Sequence, residues 1–229
     1  MSVKLLETRS CDFADYEGVL RETAMNWRMV TGRQDLTNRK DWEFVTMADF
    51  ARQYNQSATR ALDTACGRES LVNWLAAGFE TVIATDLWEP AYLKAAGIEL
   101  EGFLKFWRHL PNVFPMQADS TRLPFNDNFF DATFCVSSIE HIGREDGSHE
   151  GAERALREQI RVTKPGGLIA WSTEMLVSPG QDKWYFTKGG LESFVRRFTG
   201  QECQIAKMPA SGAAEGEPIC PVAFAMRKL

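Results

Sequence analysis

Three acidic residues stand directly after predicted strands in the first half of the chain: Asp63, Asp86 and Asp119. In an open α/β sheet, ligands bind outside the carboxyl ends of the strands, and these acids fall at that edge. A carboxylate after the second strand can accept hydrogen bonds from both hydroxyls of a ribose, each worth roughly 1.5–3 kcal/mol. A single acid at the end of a strand often faces solvent and binds no ligand. Three acids in corresponding positions predict a nucleoside-binding site.

A turn of small residues follows Asp63 and contains Ala65 and Gly67. Gly67 would let bare backbone approach a ligand closely. A nicotinamide-dependent oxidoreductase uses the same architecture, but its GxGxxG turn receives a pyrophosphate at a helix N-terminus. Here Ala65 and Glu69 replace two of the glycines, and the charges of Asp63 and Glu69 would repel a pyrophosphate. The turn is compatible with a cationic ligand, such as a sulfonium that carries an ammonium group.

His141 is the candidate for proton transfer, because it follows the fourth predicted strand and histidine ordinarily titrates near neutrality. The alternative is that the Glu140–His141 pair caps the next helix or packs beneath the ligand. His149, in the polar loop that follows, is a second candidate, and His109 is predicted to lie on the surface. No residues have metal-ligand spacing, so we expect no metal.

The elements that must position these residues are strands alternating with helices. The first helical pattern starts at Leu71 and ends at Gly78. The order closes on an antiparallel pair, which predicts an α/β fold with a doubly wound mixed sheet. The predicted strands are 61–62, 81–85, 112–117, 130–136, 168–173, 202–206 and 222–226, and the predicted helices of this part are 71–78, 102–110, 152–162 and 188–198.

Residues 1–55 are predicted to form a helical extension that precedes the sheet-bearing domain, residues 56–229. One apolar helical face runs from Tyr16 to Val30, and a second helix is predicted over 41–54. The extension is either a lid or a segment packed against the edge of the sheet. A chain of 229 residues fits one domain with an added segment better than two full domains.

The composition of the chain disfavours several classes of binding partner. The net charge of −5 gives no long-range positive field, so we expect no binding to nucleic acid or to an anionic membrane surface. No run of about 18 apolar residues is present, which predicts no membrane span. The five cysteines are scattered without a CxxC pair, as is typical of a cytoplasmic protein, and they indicate neither a zinc site nor a redox motif.

Five segments together resemble the class I S-adenosylmethionine-dependent methyltransferases. They are LDTACGRES, TVIATDL, MQADSTRLPF, FDATFCVSSIEHI and LREQIRVTKPGGLIAWSTE, and in order and spacing they cover residues 58–175. The resemblance implies a Rossmann-like sheet of seven strands with helices on both faces, and S-adenosylmethionine as the cofactor over the end of the first strand.

The resemblance also implies roles for individual residues. The turn with Asp63, Ala65 and Gly67 would hold the methionine part of the cofactor, and Asp86 would bind the ribose. Leu87 would flank the adenine, Asp119 and Ser120 would lie at its amino group, and Ser137 would lie near the methyl-bearing face.

Three consecutive aromatic residues, Trp184, Tyr185 and Phe186, lie in the loop after the fifth predicted strand. In the family that this chain resembles, the corresponding loop usually contacts the methyl acceptor. The three rings could therefore stack on a sugar or another ring of the substrate, or they could pack the last helix onto the sheet.

The sequence thus predicts methyl transfer to a small-molecule acceptor by in-line attack. We expect O-methylation of a glycan or secondary metabolite, with His141 as the general base. The chain departs from the family at Ala65 and Glu69, where glycines are usual; a left-handed Ala65 would cost roughly 1 kcal/mol or more. The alternatives are a non-catalytic binding partner with this fold and a nicotinamide-dependent oxidoreductase, which Asp63 and Glu69 disfavour.

Overall fold

A computed structural model describes most of the sheet-bearing part and some of the N-terminal extension. The described residues are 25, 28–31, 39–54, 59–67, 71–95, 97, 99–107, 109–143, 148–176, 185–199, 203–207 and 219–229. Residues 28–31 are helical, whereas most of the helix predicted over 16–30 lies outside the described residues. Glu69 and Trp184 also lie outside them.

Helices and strands alternate through the described chain. The helices are α1 Arg39–Tyr54, α2 Leu71–Gly78, α3 Pro90–Ala95, α4 Leu100–Trp107, α5 Glu150–Val162 and α6 Lys188–Arg196. The strands are β1 Arg60–Thr64, β2 Thr81–Asp86, β3 Val113–Gln117, β4 Phe130–Cys135, β5 Thr163–Leu176, β6 Phe186–Thr187, β7 Cys203–Lys207 and β8 Ile219–Lys228. A short 3₁₀ helix, Ile139–His141, follows β4.

Seven strands form a continuous mixed sheet in the order β3-β2-β1-β4-β5-β8-β7. The first five of these pair in parallel, and β8 is antiparallel to both β5 and β7. The predicted seven-stranded, doubly wound mixed sheet is therefore confirmed. The two-residue strand β6, which pairs with the end of β5, is an addition that its length hides from sequence patterns.

Helices cover both faces of the sheet, because successive strand residues point to opposite sides. Phe134 belongs to the apolar cluster that includes residues of α1 and α2, whereas its neighbour Cys135 belongs to the cluster with α5 and α6. Ala170 and Trp171 divide between the same two clusters. This alternation puts two layers of helix around one sheet and leaves its carboxyl-terminal edge to form a site.

Helix α1 packs against β5, β8 and α2. All residues from Asp41 to Ala51 are buried, including the charged side chains of Asp41 and Glu43. A charged residue is rarely buried unless it is paired or hydrogen-bonded. The burial of Glu43 therefore indicates a polar contact with the sheet.

Strand β5 is longer than predicted, because it begins at Thr163 rather than near Leu168. The sequence Lys164-Pro165-Gly166-Gly167 is typical of a break, yet here it forms an irregular strand start. The register between β4 and β5 shifts between Phe130 and Ala132, and this bulge accommodates Pro165, which has no N–H to donate. Lys164 also forms an ion pair with Asp131 at the same place.

Among the described residues, the structure shows neither a membrane-spanning helix nor a cluster of metal-binding side chains. None of the helices in the described ranges is both long and apolar enough to cross a membrane. Within the same ranges, no group of three His, Cys, Asp or Glu side chains is placed to hold a metal ion.

Candidate functional site

Three residues other than glycine with left-handed backbone lie at the carboxyl ends of three neighbouring strands. Ala65 follows β1 with φ 50°, Trp88 follows β2 with φ 42°, and Ser137 follows β4 with φ 47°. Residues other than glycine rarely adopt positive φ, and such strain is concentrated at functional sites. Since β2, β1 and β4 are adjacent in the sheet, the three turns form one continuous edge.

The Asp86 carboxylate joins two of these turns. Its Oδ2 accepts a hydrogen bond from the Gly67 N–H (2.9 Å), and its Oδ1 accepts one from the Trp88 N–H (2.8 Å). Each carboxylate oxygen can accept a second hydrogen bond, and the residue is only half-buried. Asp86 can therefore bind a pair of hydroxyl groups while it holds the two turns together.

The neighbourhood of Asp86 includes the other residues predicted for an adenosine. Leu87 is 44% exposed, which is unusual for a leucine beside a buried sheet. The Ala118 N–H donates to the Asp86 carbonyl (3.0 Å), so the segment after β3 lies alongside. In that segment Asp119 is exposed, and its Oδ1 accepts hydrogen bonds from the Thr121 N–H (2.7 Å) and hydroxyl (2.8 Å), whereas Ser120 is buried.

Asp63 lies inside β1 rather than after it, because parallel pairing with β2 continues through Thr64. The Asp63 side chain is buried beneath the turn that carries Ala65. Gln159 of α5 reaches the same strand end, where its Nε2 donates to the Thr64 hydroxyl (2.9 Å) and to the Phe134 carbonyl (3.0 Å). Buried hydrogen bonds from Gln159 thus stabilise the strand end that precedes the turn after β1.

The end of β4 is tied to both neighbouring strands. The Ser138 hydroxyl lies 3.1 Å from the Ala65 carbonyl oxygen, so the turns after β1 and β4 are linked. The Ser137 N–H donates to the hydroxyl (3.0 Å) and the carbonyl oxygen (3.1 Å) of Ser172 in β5. Neither Ser138 nor Ser172 was predicted as a site residue. The only sequence signal for Ser138 is its position next to Ser137 in VSSIEHI.

Two buried carboxyl groups lie behind the Ser137 turn. Glu43 of α1 accepts a hydrogen bond from the Ser172 hydroxyl. Glu140 accepts one from the Thr173 hydroxyl (2.9 Å) and one from the Glu174 N–H (3.3 Å). Burial raises the pKa of Glu43, and burial raises the pKa of Glu140 to about 7. Neither acid was predicted from the sequence as part of the site.

His141 lies next to the buried carboxyl of Glu140, on the side that is exposed to solvent. Its side chain is 41% exposed, and its Nε2 is 3.8 Å from Oε1 of Glu140. The imidazole also faces the ring of Tyr185, with centroids 6.4 Å apart. The imidazole of His141 is therefore exposed on one side and bordered by Glu140 and Tyr185.

The predicted aromatic substrate residues differ in their environment. Phe186 is fully buried, stacks on His149 at 3.9 Å between centroids and also contacts Phe194 of α6. This placement favours the packing role for Phe186 over substrate stacking. Tyr185 is half-buried near His141.

Residues 62–171 match the family described as a methyltransferase domain. The chain carries a class I S-adenosylmethionine-dependent methyltransferase domain. The resemblance stated from the sequence motifs is thereby confirmed, together with the Rossmann-like fold and the cofactor of the family.

Curated relatives of this methyltransferase domain have named activities. A demethylmenaquinone methyltransferase of Streptomyces griseus is 31% identical over 157 residues, which are 68% of this chain and 62% of that protein. The demethylmenaquinone methyltransferase of Corynebacterium urealyticum is 35% identical over 154 residues, 66% of this chain and 58% of that protein. The chain therefore spans about six-tenths of the length of these relatives.

Solved structures share the fold of the methyltransferase domain. The 4+2 cyclase SpnF aligns with a TM-score of 0.61 at 17% identity and covers 97% of each chain. A geranyl diphosphate methyltransferase in complex with SAM aligns with a TM-score of 0.59 at 12% identity, over 82% of this chain and 86% of that one. At such identities the likeness shows the fold alone, and the reaction has to be argued from the site.

Proposed function

We propose that this protein binds S-adenosylmethionine along the edge formed by β1, β2 and β4 and transfers its methyl group to a small-molecule acceptor. The observation that carries the proposal is the Asp86 carboxylate, which joins the turns at Gly67 and Trp88 and keeps capacity for two further hydrogen bonds. The match of residues 62–171 to a methyltransferase domain supports the same cofactor.

The described residues fit an adenosine with a cationic tail. Asp86 would accept hydrogen bonds from the ribose hydroxyls, and the exposed Leu87 would cover one face of the adenine. Asp119 has a carboxylate oxygen, Oδ2, that accepts no hydrogen bond from the described residues, so it can meet the adenine amino group beside Ser120.

The rest of the cofactor would extend toward β1 and β4. The turn from Asp63 through Ala65 to Gly67 would hold the methionine part, and Ser137 would lie at the methyl-bearing side. S-adenosylmethionine supplies an activated methyl group on its sulfonium, so the protein has to align an in-line attack and, for a hydroxyl acceptor, remove a proton.

His141 is the residue that we propose for proton removal. Its exposed imidazole lies beside Glu140 and faces Tyr185, at the same strand end as Ser137. Oxygen of a glycan or secondary metabolite is the acceptor that the sequence motifs favour. Tyr185 is then the aromatic residue best placed to contact it, and the neighbouring Trp184 remains a prediction.

A second acceptor class is favoured by the relatives. Two proteins that are 31% and 35% identical are named demethylmenaquinone methyltransferases, and a third relative is named a ubiquinone/menaquinone biosynthesis C-methyltransferase. An aromatic ring carbon is therefore the alternative acceptor atom. A base that takes a proton from a ring hydroxyl would serve either reaction, because it makes both the oxygen and the ring carbon more nucleophilic.

Isothermal titration calorimetry with S-adenosylmethionine, S-adenosylhomocysteine and NAD tests the cofactor. We expect heat with both sulfur ligands and none with NAD. No heat with either sulfur ligand would overturn the proposal, and heat with NAD alone would favour an oxidoreductase.

The acceptor is tested with labelled S-adenosylmethionine and a panel of sugars, phenols and reduced quinones. Mass spectrometry of the product then shows whether the labelled methyl group is on oxygen or on carbon. Binding of the cofactor without transfer to any acceptor class would favour the non-catalytic alternative.

A further inference from the structure

A chain of hydrogen bonds connects the N-terminal helix α1 to the Ser137 turn. Glu43 of α1 is fully buried and accepts a hydrogen bond from the hydroxyl of Ser172 in β5. The oxygen of that same hydroxyl accepts the N–H of Ser137 (3.0 Å). The Ser137 side chain also forms a hydrogen bond with Glu43. Glu43 is therefore joined to the left-handed turn at the end of β4 both directly and through Ser172.

The donor and acceptor of each hydrogen bond in this chain can be assigned. A serine hydroxyl has one proton, so the proton that Ser172 donates to Glu43 leaves the lone pairs of its oxygen for the Ser137 N–H. Hydrogen bonds in such a chain polarise one another, and a charged acceptor at its end strengthens both. A charged Glu43 thus holds Ser137 in a backbone conformation that this residue would otherwise seldom adopt.

Charged groups on three elements face the Glu43 carboxyl. Lys40, on the same helix, has its Nζ 3.8 Å from Oε1 of Glu43. Glu174 of β5 lies near enough to disfavour its ionisation, and Glu140, from the segment after β4, interacts repulsively with it. Two carboxyls that repel each other in a buried place do not ionise independently, so one proton is lost from the pair over a shared range of pH.

We propose, on the basis of the function proposed above, that Glu43 is a positioning residue of the methyl-transfer site and acts on the Ser137 turn through Ser172 and through the Ser137 side chain. Glu43 does not touch the reacting atoms. Its ionisation strengthens the hydrogen bond from Ser172 and adds negative charge behind the place where a cationic ligand would lie. Both effects have the same sign, so affinity for S-adenosylmethionine increases as the pH rises and the carboxyl pair loses its proton.

Glu43→Gln is the test variant, because the amide oxygen still accepts a hydrogen bond but the side chain no longer titrates. Asp49→Asn is the matched control: Asp49 is an acid of the same helix and accepts a hydrogen bond from Gln53 of that helix (2.6 Å). Calorimetry at about pH 6 and about pH 8 should show S-adenosylmethionine binding about fivefold tighter at the higher pH in the wild type and in Asp49→Asn. Glu43→Gln should show a smaller difference between the two pH values than the wild type, because only Glu140 of the carboxyl pair can then titrate.

A second measurement needs no ligand. At one fixed pH of about 8, exchange of the Ser137 amide hydrogen should be at least about threefold faster in Glu43→Gln and in Ser172→Ala than in the wild type, and unchanged in Asp49→Asn. The effects of the two changes should be less than additive in the double variant, because both weaken the same hydrogen-bond network around Ser137.

The outcomes separate the two proposals. A wild-type protein that gives no heat with S-adenosylmethionine contradicts the proposed function, whereas the exchange experiment still tests the hydrogen-bond chain. A Glu43→Gln variant that keeps the wild-type pH dependence of binding, or the wild-type exchange at Ser137, overturns the positioning role. Additive exchange effects in the double variant overturn it as well.

Discussion

The carboxylate of Asp86 joins the two turns that follow β1 and β2. Its place at the end of a strand identifies it in the sequence, and the structure adds that it accepts the N–H groups of Gly67 and Trp88. Glu43 could not be found in this way. Its contact with Ser172 joins residues 129 positions apart, and only the tertiary fold brings them together.

At the scale of the residue, His141 is the first test. Replacing His141 with alanine should lower the rate of methyl transfer to a hydroxyl acceptor by about 10²-fold, because general-base assistance is lost. Affinity for S-adenosylmethionine should stay near the wild-type value. Initial rates across a range of pH provide the measurement, and the exposed His109→Ala is the control. Unchanged turnover at every pH means that His141 is not the base.

Glu140 gives a second residue-scale prediction, on stability. Burial raises its folded-state pKa from 4.5 to about 7, so the folded protein holds this proton more tightly than the unfolded chain does. The resulting stabilisation is full below about pH 4.5 and is lost as the pH rises through about 7, amounting to at most about 3 kcal/mol.

Urea unfolding at about pH 5 and about pH 8 measures this loss. Glu140→Gln should show a smaller fall in the free energy of unfolding than the wild type, whatever its absolute stability. Glu101→Gln, which removes an exposed acid of α4, should keep the wild-type dependence. Equal pH dependence in Glu140→Gln and the wild type would show that Glu140 does not carry the shifted proton.

At the scale of the element, length and regularity decide what could be predicted. The helix Leu71–Gly78 and the strands that end at Asp86 and Cys135 follow clear apolar patterns, and the structure confirms them. The six residues of α3, Pro90–Ala95, are too few to show a helical period. The early start of β5 depends on a bulge opposite Asp131, which is a property of the pair of strands and not of either sequence alone.

The start of α5 makes a testable contact with the segment after β4. A Cβ atom on Gly151 would lie 2.3 Å from the Ile142 carbonyl oxygen and 2.7 Å from the Gly143 Cα, so Gly151→Ala forces the two segments apart. We expect a loss of about 1–3 kcal/mol in the free energy of unfolding, read from urea midpoints.

Gly189→Ala is the matched control, because nothing lies within 4 Å of a Cβ at this position in α6. That substitution should raise the free energy of unfolding by roughly 0.5–1 kcal/mol, since alanine favours a helix more than glycine does. Equal effects of the two substitutions would contradict the close packing of α5 on the segment after β4.

At the scale of the whole molecule, two layers of helix cover the sheet, and the carboxyl ends of β1, β2 and β4 form the edge that we propose as the cofactor site. The strained residues Ala65, Trp88 and Ser137 all lie along it. Methyl transfer needs a cofactor held in one orientation, and a rigid sheet edge provides that more reliably than mobile loops do. The polar network around Ser137 could not be read from the sequence, because the fold brings its side chains together from α1 and from the ends of β4 and β5.

The central claim is that S-adenosylmethionine binds at this edge through Asp86. Calorimetric titration of the wild type and of Asp86→Ala with S-adenosylmethionine tests it most directly. We predict that the wild type binds and that the variant binds more than about tenfold more weakly, because the ribose loses its charged acceptor and the turns at Gly67 and Trp88 lose their link. Equal affinity in a variant that remains folded would contradict the claim and place the ribose elsewhere.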